Sequence, residues 1–257
     1  MLTNPNSPAP AEASPPSPTS TLTPSISSLL GKRINVLDQG WIELQDVMGD
    51  DLAIVNAARV SFLGESKGDD KDKKLLFYLL NHHHTSPFEQ VEFKFRVRAP
   101  VVTWWQWVRH RTWNFNAQSG RYVAFEENDF YTPTVWRKQS PSNKQASLGE
   151  LTLEEGAPFT AALLKHYEEG YALYQNAIAA GIAREQARVF LPGFAVYYTW
   201  VCKVDAHNLM HFLGLRMAEE AQYEIRAYAE AIHEHFFKPA LPWTAEAFEK
   251  FILPKSA

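Results

Sequence analysis

The protein has 257 residues and a formal net charge of −4, and 46% of its residues are hydrophobic. These values are typical of a globular protein, so they exclude disorder along the whole chain. Its single cysteine excludes an intrachain disulfide and favours a reducing compartment. The sequence has no apolar run of membrane-spanning length and no signal-peptide pattern, so we expect a soluble cytoplasmic protein.

The first thirty residues differ in composition from the remainder. They contain seven Pro, seven Ser and four Thr, with no Lys or Arg. Such a segment buries too little apolar surface to offset the entropy that ordering would cost. The composition therefore predicts a disordered tail over residues 1–30 and one folded domain over residues 31–257.

Hydrophobic periodicity predicts the elements of that domain. Strands are predicted at 41–47, 88–98, 120–125 and 194–204, a polar loop at 137–156, and helices at 51–58, 72–81, 101–108, 159–179, 183–190, 206–213 and 218–237. Because strands seldom alternate singly with helices, this order favours an α+β domain over a doubly wound α/β fold.

Positive charge and tryptophan are concentrated in one segment of this acidic chain. Residues 92–122 contain six Lys or Arg against one acid, and four of the eight Trp. Three interpretations remain open: a compact site for an anionic planar ligand, a surface that stacks single-stranded nucleic acid, and a basic face around an aromatic core.

The end of this segment favours a phosphate site. Arg109, His110 and Arg111 follow the predicted aromatic helix, and the polar loop after them ends in Ser119 and Arg121. One guanidinium group can donate to two phosphate oxygens at once. A Ser hydroxyl and the backbone amides near a glycine add further donors. The alternative is a surface turn whose arginines pair with carboxylates elsewhere.

The same residues resemble a known family. Arg109, His110 and Arg111, with Ser119 after seven further residues, are similar to the RHR-x7-S signature of the flavin-dependent thymidylate synthases. Blocks at 57–62, 84–89, 187–192, 208–216 and 221–226 also resemble the family's blocks in order and spacing. The resemblance extends from about residue 34 to residue 251, and several spaced blocks are more specific than one short motif.

The resemblance implies an enzyme that methylates dUMP to dTMP, with FAD reduced by NADPH and with methylenetetrahydrofolate as the carbon donor. It implies an α+β fold with an antiparallel sheet packed by helices, assembled as a homotetramer with shared active sites. It implies no nucleic-acid or membrane partner.

It also implies roles for individual positions. Those that match dUMP-binding positions are Gln106, Arg109, Ser119, Gly120, Arg121, Arg188 and Arg216, and those near FAD are Ser61, Ser86, Glu89, Arg109, His110, Arg111, His207 and His211. Arg216, Ser119 and His84 would be catalytic, with His84 and Arg216 where flavin and folate meet. In a shared site, Ser119 and Arg188 would come from different subunits.

Two positions depart from the family pattern. Ala117 replaces a common acid, so a contact to the nucleotide is missing or supplied by Gln118 or water, and Glu220 replaces a common histidine at the edge of the flavin or folate site.

Two other chemistries are weighed from the residues themselves. A thiolate nucleophile would be Cys202, but it shares its side of the predicted strand with Trp200 and Val204 and has no basic neighbour there, so we expect an inert thiol and a cofactor for the difficult step. A zinc site at His207 and His211 would lack the motif's Glu and a third ligand, and three consecutive histidines at 82–84 would diverge on a helix. We therefore expect no metal.

Overall fold

One antiparallel sheet organises the chain. The structure, a computed structural model, describes residues 24–143 and 147–253. Its strands are β1 (Arg33–Val36), β2 (Gly40–Met48), β3 (Glu92–Pro100), β4 (Asn114–Ala117), β5 (Arg137–Gln139), β6 (Ser147–Glu150) and β7 (Tyr197–Asp205). Five of them form the sheet in the order β1-β2-β3-β7-β4, and β5 pairs with β6 in a separate hairpin. Every neighbouring pair in the sheet is antiparallel.

The central strand β3 shows why the sheet has one apolar face. Phe93, Phe95 and Val97 are fully buried, whereas Lys94 and Arg96 between them are exposed. Successive side chains of a strand point to opposite faces, so this alternation places one row in the core and the other towards solvent. The strand prediction from the sequence is confirmed here.

Helices cover the apolar face. Their bounds are α1 (Pro24–Ser27), α2 (Asp51–Arg59), α3 (Asp69–Asn81), α4 (Val101–Trp107), α5 (Leu153–Ala179), α6 (Arg184–Ala187), α7 (Ala206–Arg216), α8 (Tyr223–Ile232), α9 (Lys238–Ala240) and α10 (Pro242–Phe251). Helices α4, α7 and α8 contact the sheet, and α2, α3 and α10 contact one another. Short 3-10 turns lie at Val60–Phe62, Phe88–Gln90 and Arg188–Phe190, and a π-helical turn at His233–Phe237. The α+β prediction is confirmed.

Ordered structure begins earlier than the composition predicts. Helix α1 lies within the expected tail, and Ile26 and Leu29 are buried in the main core. The tail prediction is therefore wrong for residues 24–30, because two apolar side chains are enough to anchor them. The remainder of the predicted tail, residues 1–23, lies outside the described residues.

Two further predictions need correction. Residues 120–125 form a turn and not a strand, because the Tyr122 and Val123 amides donate back to the Ser119 carbonyl at 3.0 and 3.2 Å. The strand precedes them as β4. Residues 137–156, predicted as loop, contain the β5–β6 hairpin and the start of α5, which begins in a Thr152–Glu155 capping box.

The long helix predicted at 218–237 begins later, at Tyr223, and its helical course continues to Ala240. Residues before Tyr223 form turns, in which the Glu219 carbonyl accepts from Arg226 at 3.1 Å, and α8 passes into the π-helical turn after Ile232. Within the described ranges, no helix combines the length and apolar character needed to cross a lipid bilayer.

Candidate active site

A cavity of about 600 Å³ is lined by three arginines and three histidines. The turn after α4 and helix α7 form it, and its lining residues are Arg109, His110, Arg111, Thr112, His207, Asn208, His211, Leu215 and Arg216. No carboxylate belongs to this lining. The cavity therefore suits an anionic ligand.

Two tryptophans hold the turn that carries the signature residues. Trp107 ends α4 and Trp113 follows the turn, and both are buried with their rings 5.6 Å apart. The His110 amide donates to the Trp107 carbonyl at 3.0 Å, which tightens the chain between them. As a result His110 is buried, whereas Arg109 and Arg111 on either side of it are exposed.

His110 is a neutral hydrogen-bond acceptor at the base of the cavity. Burial, and then the charges of Arg216 and His211, lower the pKa of its imidazole from 6.5 to about 4. Arg216 donates from Nε to His110 Nε2 at 2.9 Å, which requires an unprotonated Nε2. The guanidinium of Arg216 is thereby oriented by an imidazole that carries no charge at neutral pH.

Unpaired positive charge is a property of this cavity. Burial, and then the nearby Arg109, lower the pKa of Arg216, because two guanidinium groups lie in each other's field. Among the described residues, neither Arg109 nor Arg111 forms an ion pair with a carboxylate. The interpretation as a surface turn neutralised by acids is wrong for these two arginines.

A second group of predicted residues lies at the other end of β4. Ser119, Gly120 and Arg121 form the turn after the strand, and Arg121 pairs with Glu185 at 3.1 Å. Gly120 is buried, and a Cβ added there would lie 2.8 Å from the Phe125 ring and 3.5 Å from Nη1 of Arg188. A larger residue would crowd the Phe125 ring, so glycine permits this close packing.

Ser119 and Arg188 therefore approach each other within one chain. This proximity favours a site that takes both residues from the same subunit, which differs from the expectation drawn from the resemblance. Arg188 also lines a separate cavity of about 270 Å³, together with Trp104, Trp105 and Phe125. None of the residues lining this cavity lines the arginine cavity.

The structure brings only part of the remaining predicted set to the arginine cavity. Glu89 reaches its edge, where its Oε1 lies 3.4 Å from Nδ1 of His207. Ser61, His84 and Ser86 are exposed and do not line the cavity. Gln106 lies behind the lining, where its carbonyl accepts from Arg216 at 3.4 Å.

The two departures from the family pattern have structural contexts. Ala117 packs against the main apolar cluster. The Gln118 side-chain carbonyl accepts from the Thr199 amide at 3.1 Å, so this oxygen fixes the end of the strand. Glu220 is exposed and does not line the arginine cavity.

Burial decides between the interpretations of the tryptophan segment. Trp107 and Trp113 are buried and Trp104 is half-buried, while Trp105 is 57% exposed and meets Phe194 edge-on. Rings inside the core are unavailable to stack bases. Three of the four tryptophans are thus wholly or partly core residues, which favours the interpretation as an aromatic core.

The zinc site weighed from the sequence would use His207 and His211, which lie one turn apart on α7. Among the described residues, the group with three potential ligand atoms close together is His233, Glu234 and Glu249, which contains neither His207 nor His211. The histidines at 82–84 lie at the end of α3, where His83 has a positive φ of 57°.

Cys202 is a core residue. It is 1% exposed, and burial raises the pKa of its thiol far above the ordinary range. We expect Cys202→Ala to retain the activity of the unchanged protein and to lower the free energy of unfolding by about 1 kcal/mol through lost packing. Turnover assays and chemical denaturation test this. Loss of turnover in a folded Cys202→Ala protein would instead indicate a thiolate mechanism.

Several residues around the cavity are not assigned a role by any pattern in the sequence. Asn208 and Thr112 line it, and Gln222 and Glu224 connect to Gln106 through side-chain hydrogen bonds. The block at 221–226 was a usable signal for the second pair, since it resembled the family without an assigned role.

The sheet with its cation-lined cavity defines an α+β protein whose cavity suits an anionic ligand. The family model described as thymidylate synthase complementing protein matches residues 43–243. The flavin-dependent thymidylate synthase of Thermus thermophilus is 49% identical over 220 residues, which cover 86% of this chain and 79% of that protein. The enzyme of the same name from Wolbachia pipientis is 42% identical over 236 residues, covering 91% and 82%.

Solved structures agree with these sequence matches. The UMP/dUMP methylase PolB from Streptomyces cacaoi, bound with 5-Br dUMP, has a TM-score of 0.76 and 34% identity, and the match covers 85% of this chain and 98% of that chain. The chain belongs to the thymidylate synthase complementing protein family and is an enzyme of the flavin-dependent thymidylate synthase type.

Proposed function

We propose that this protein converts dUMP to dTMP by reductive methylation, with FAD as the bound cofactor, NADPH as its reductant and methylenetetrahydrofolate as the carbon donor. The observation that carries the proposal is the cavity lined by Arg109, Arg111 and Arg216 without a carboxylate. Such a lining stabilises phosphates, which all of the nucleotide ligands carry.

The donor set of the arginine cavity fits FAD. Arg109 and Arg111 form no ion pair with an acid in the described part of the chain and can bind the pyrophosphate, and His207 and His211 on α7 supply further donors at the same cavity. Ser61, Ser86 and Glu89 complete the proposed set from the N-terminal half. When bound, the flavin supplies the hydride that the protein's own side chains cannot provide.

The proposed dUMP residues fall into two groups in each chain. Arg109 and Arg216 line the arginine cavity and Gln106 lies behind its lining, whereas Ser119, Gly120 and Arg121 form the turn at the other end of β4, with Arg188 beside that turn. Each residue of a strand advances the chain by about 3.3 Å. The four residues of β4, together with the residues on either side, therefore separate the two groups of side chains by more than about 10 Å. One small nucleotide can meet both groups if a second copy supplies one of them.

This division supports a homotetramer with shared active sites. Large apolar side chains around the Ser119 turn are exposed in the single chain: Trp105, Tyr122, Val123, Val189, Phe190 and Phe194. Exposed apolar surface of this extent is typical of protein interfaces. A neighbouring subunit would bury it while completing the nucleotide site.

Within the proposed reaction, this chain's residues bind and orient. Neutral His110 holds Arg216 through Nε2, and Arg216 in turn is directed at the anionic ligands of the cavity. Ser119 contributes a hydroxyl to the nucleotide site, and His84 is proposed at the meeting point of flavin and folate.

Binding of FAD tests the proposal. The purified protein is expected to be yellow or to quench the fluorescence of added FAD, and to form dTMP from dUMP when NADPH and methylenetetrahydrofolate are present. Arg111→Ala should weaken FAD binding by roughly tenfold or more, since it removes a charged donor. Arg33→Ala is the matched control. Arg33 lies on β1, away from the cavity, and forms an ion pair with Glu43 on β2. A colourless protein that leaves FAD fluorescence unchanged would contradict the proposal.

A further inference from the structure

A chain of side-chain hydrogen bonds connects a buried carboxylate to Gln106. Glu224, in the first turn of α8, is 3% exposed. Its Oε2 accepts from Nε2 of Gln222 at 2.7 Å, and Oε1 of Gln222 accepts from Nε2 of Gln106. The other carboxylate oxygen accepts from Arg137 at 2.7 Å and from the Tyr131 hydroxyl at 3.0 Å.

Glu224 is ionised in this setting. Burial alone raises the pKa of its carboxyl, but hydrogen bonds from Arg137 and Gln222 outweigh it and lower the pKa below the ordinary value. An ionised carboxylate accepts hydrogen bonds and donates none. Both of its oxygens are therefore fixed acceptors.

The fixed acceptor determines the direction of two amides. The group of Gln222 that faces Glu224 must be its NH2, so the carbonyl oxygen of Gln222 is the group that faces Gln106. That carbonyl can only accept, so Gln106 must turn its own NH2 towards Gln222. This argument follows from the charge of Glu224 and does not depend on distinguishing nitrogen from oxygen by position.

We infer that Glu224 is a positioning residue for the nucleotide, acting through Gln222 to hold the Gln106 amide in one direction. The inference rests on the proposed function, in which Gln106 contacts dUMP. With its NH2 committed to Gln222, Gln106 presents its carbonyl oxygen as an acceptor for an N–H or O–H group of the nucleotide. A flipped amide would present a donor and lose that contact.

The backbone of Gln106 is held independently of this chain. Its carbonyl accepts from Arg216 at 3.4 Å and from the Arg109 amide at 3.3 Å. The position of the residue and the direction of its amide are thus controlled separately. Changing Glu224 should alter the direction while leaving the turn and the arginines in place.

The test is a double-mutant cycle on the FAD-loaded, full-length protein, read out as the dissociation constant for dUMP. Glu224→Gln can donate to Gln222 and so permits both amides to flip, and it should weaken dUMP binding by roughly tenfold, the loss of about one hydrogen bond. Gln222→Met cuts the connection but leaves the contacts of Glu224 with Arg137 and Tyr131 intact. It should weaken binding to a similar extent.

The decisive result is the double variant. If Glu224 acts through Gln222, adding Glu224→Gln to Gln222→Met should change dUMP binding no further, while FAD absorbance is retained in all variants. Glu230→Gln is the matched control, because Glu230 lies on the same helix, is exposed and pairs with Arg226 at 3.7 Å. It should bind dUMP as the unchanged protein does.

Three results would overturn the inference. Equal and additive losses in the double variant would mean that Glu224 acts by another route. Unchanged dUMP binding in Gln222→Met would mean that the amide direction is irrelevant, and this single variant decides the question even if Glu224→Gln fails to fold. Absence of dUMP binding by the unchanged protein would instead reject the proposed function and the inference with it.

Discussion

Mixing Arg109→Ala and Arg188→Ala proteins, each nearly inactive alone, is expected to restore roughly a quarter of the activity of the unchanged protein. Arg109 lines the arginine cavity and Arg188 lies against the Ser119 turn beyond β4. If each nucleotide site takes one group from each of two subunits, a hybrid oligomer contains sites in which both groups are intact. Random mixing of equal amounts makes about one site in four complete.

The structure supplies a matched control for this experiment. Ser119→Ala and Arg188→Ala affect the same group, since the Ser119 turn and Arg188 are neighbours in one chain. Mixing these two proteins should restore no activity. Each subunit then carries either an altered Ser119 or an altered Arg188, so no subunit supplies the group intact. Mass measurement must show hybrid oligomers in both mixtures.

The opposite pattern would refute the proposed arrangement. Activity that returns for Ser119→Ala with Arg188→Ala would mean that these residues serve a site from different subunits. Hybrid oligomers that stay inactive for Arg109→Ala with Arg188→Ala would mean that each chain builds its own site.

The pH dependence of stability should carry a contribution from His110. In the folded protein the pKa of His110 is lowered from 6.5 to about 4, chiefly by burial. Between these values the unfolded chain binds the proton and the folded chain does not, so acid favours unfolding. The contribution of His110 is complete above pH 6.5 and is lost as the pH falls towards about 4. Between about pH 7.5 and about pH 5 it should lower the free energy of unfolding by about 2 kcal/mol.

His110→Gln isolates this contribution from those of the other histidines. Glutamine does not titrate, and its carbonyl can still accept from Nε of Arg216. The free energy of unfolding, measured by urea denaturation at equal protein concentration, should fall less steeply with acid in the variant than in the unchanged protein. Between about pH 7.5 and about pH 5, the free energy of unfolding of the variant should fall by about 2 kcal/mol less than that of the unchanged protein. Parallel pH profiles would show that His110 titrates alike in the folded and unfolded states.

Local patterns in the sequence determined those strands and helices that bury one face, because this burial shows as a regular spacing of apolar residues within a few positions. The alternation of Phe93, Phe95 and Val97 predicts the buried face of β3, and the apolar stripe of residues 72–81 predicts α3. The position of Cys202 beside Trp200 and Val204 predicts a buried, inert thiol. Periods of two and of 3.6 residues reflect burial on one side of a strand or helix, so short windows are sufficient to detect them.

Where local signals compete, the sequence predicted less well. The sequence of residues 120–125 predicts a strand. In the structure these residues form a turn, because backbone amides donate hydrogen bonds to the Ser119 carbonyl. The capping box at Thr152 was present in the sequence but lay inside a polar stretch that resembled loop.

Arg109, His110, Arg111 and Ser119 indicated the family from sequence alone, because their order and spacing resemble the family's signature. Only the tertiary structure decided which of them meet. It brought Arg216 onto His110 across 106 positions, placed Arg188 beside the Ser119 turn, and joined Gln106 to Gln222 and Glu224. Such contacts depend on how helices pack against the sheet. That packing is the result of many small burial energies along the whole chain, so the sequence near either partner shows no periodic pattern that would predict the contact.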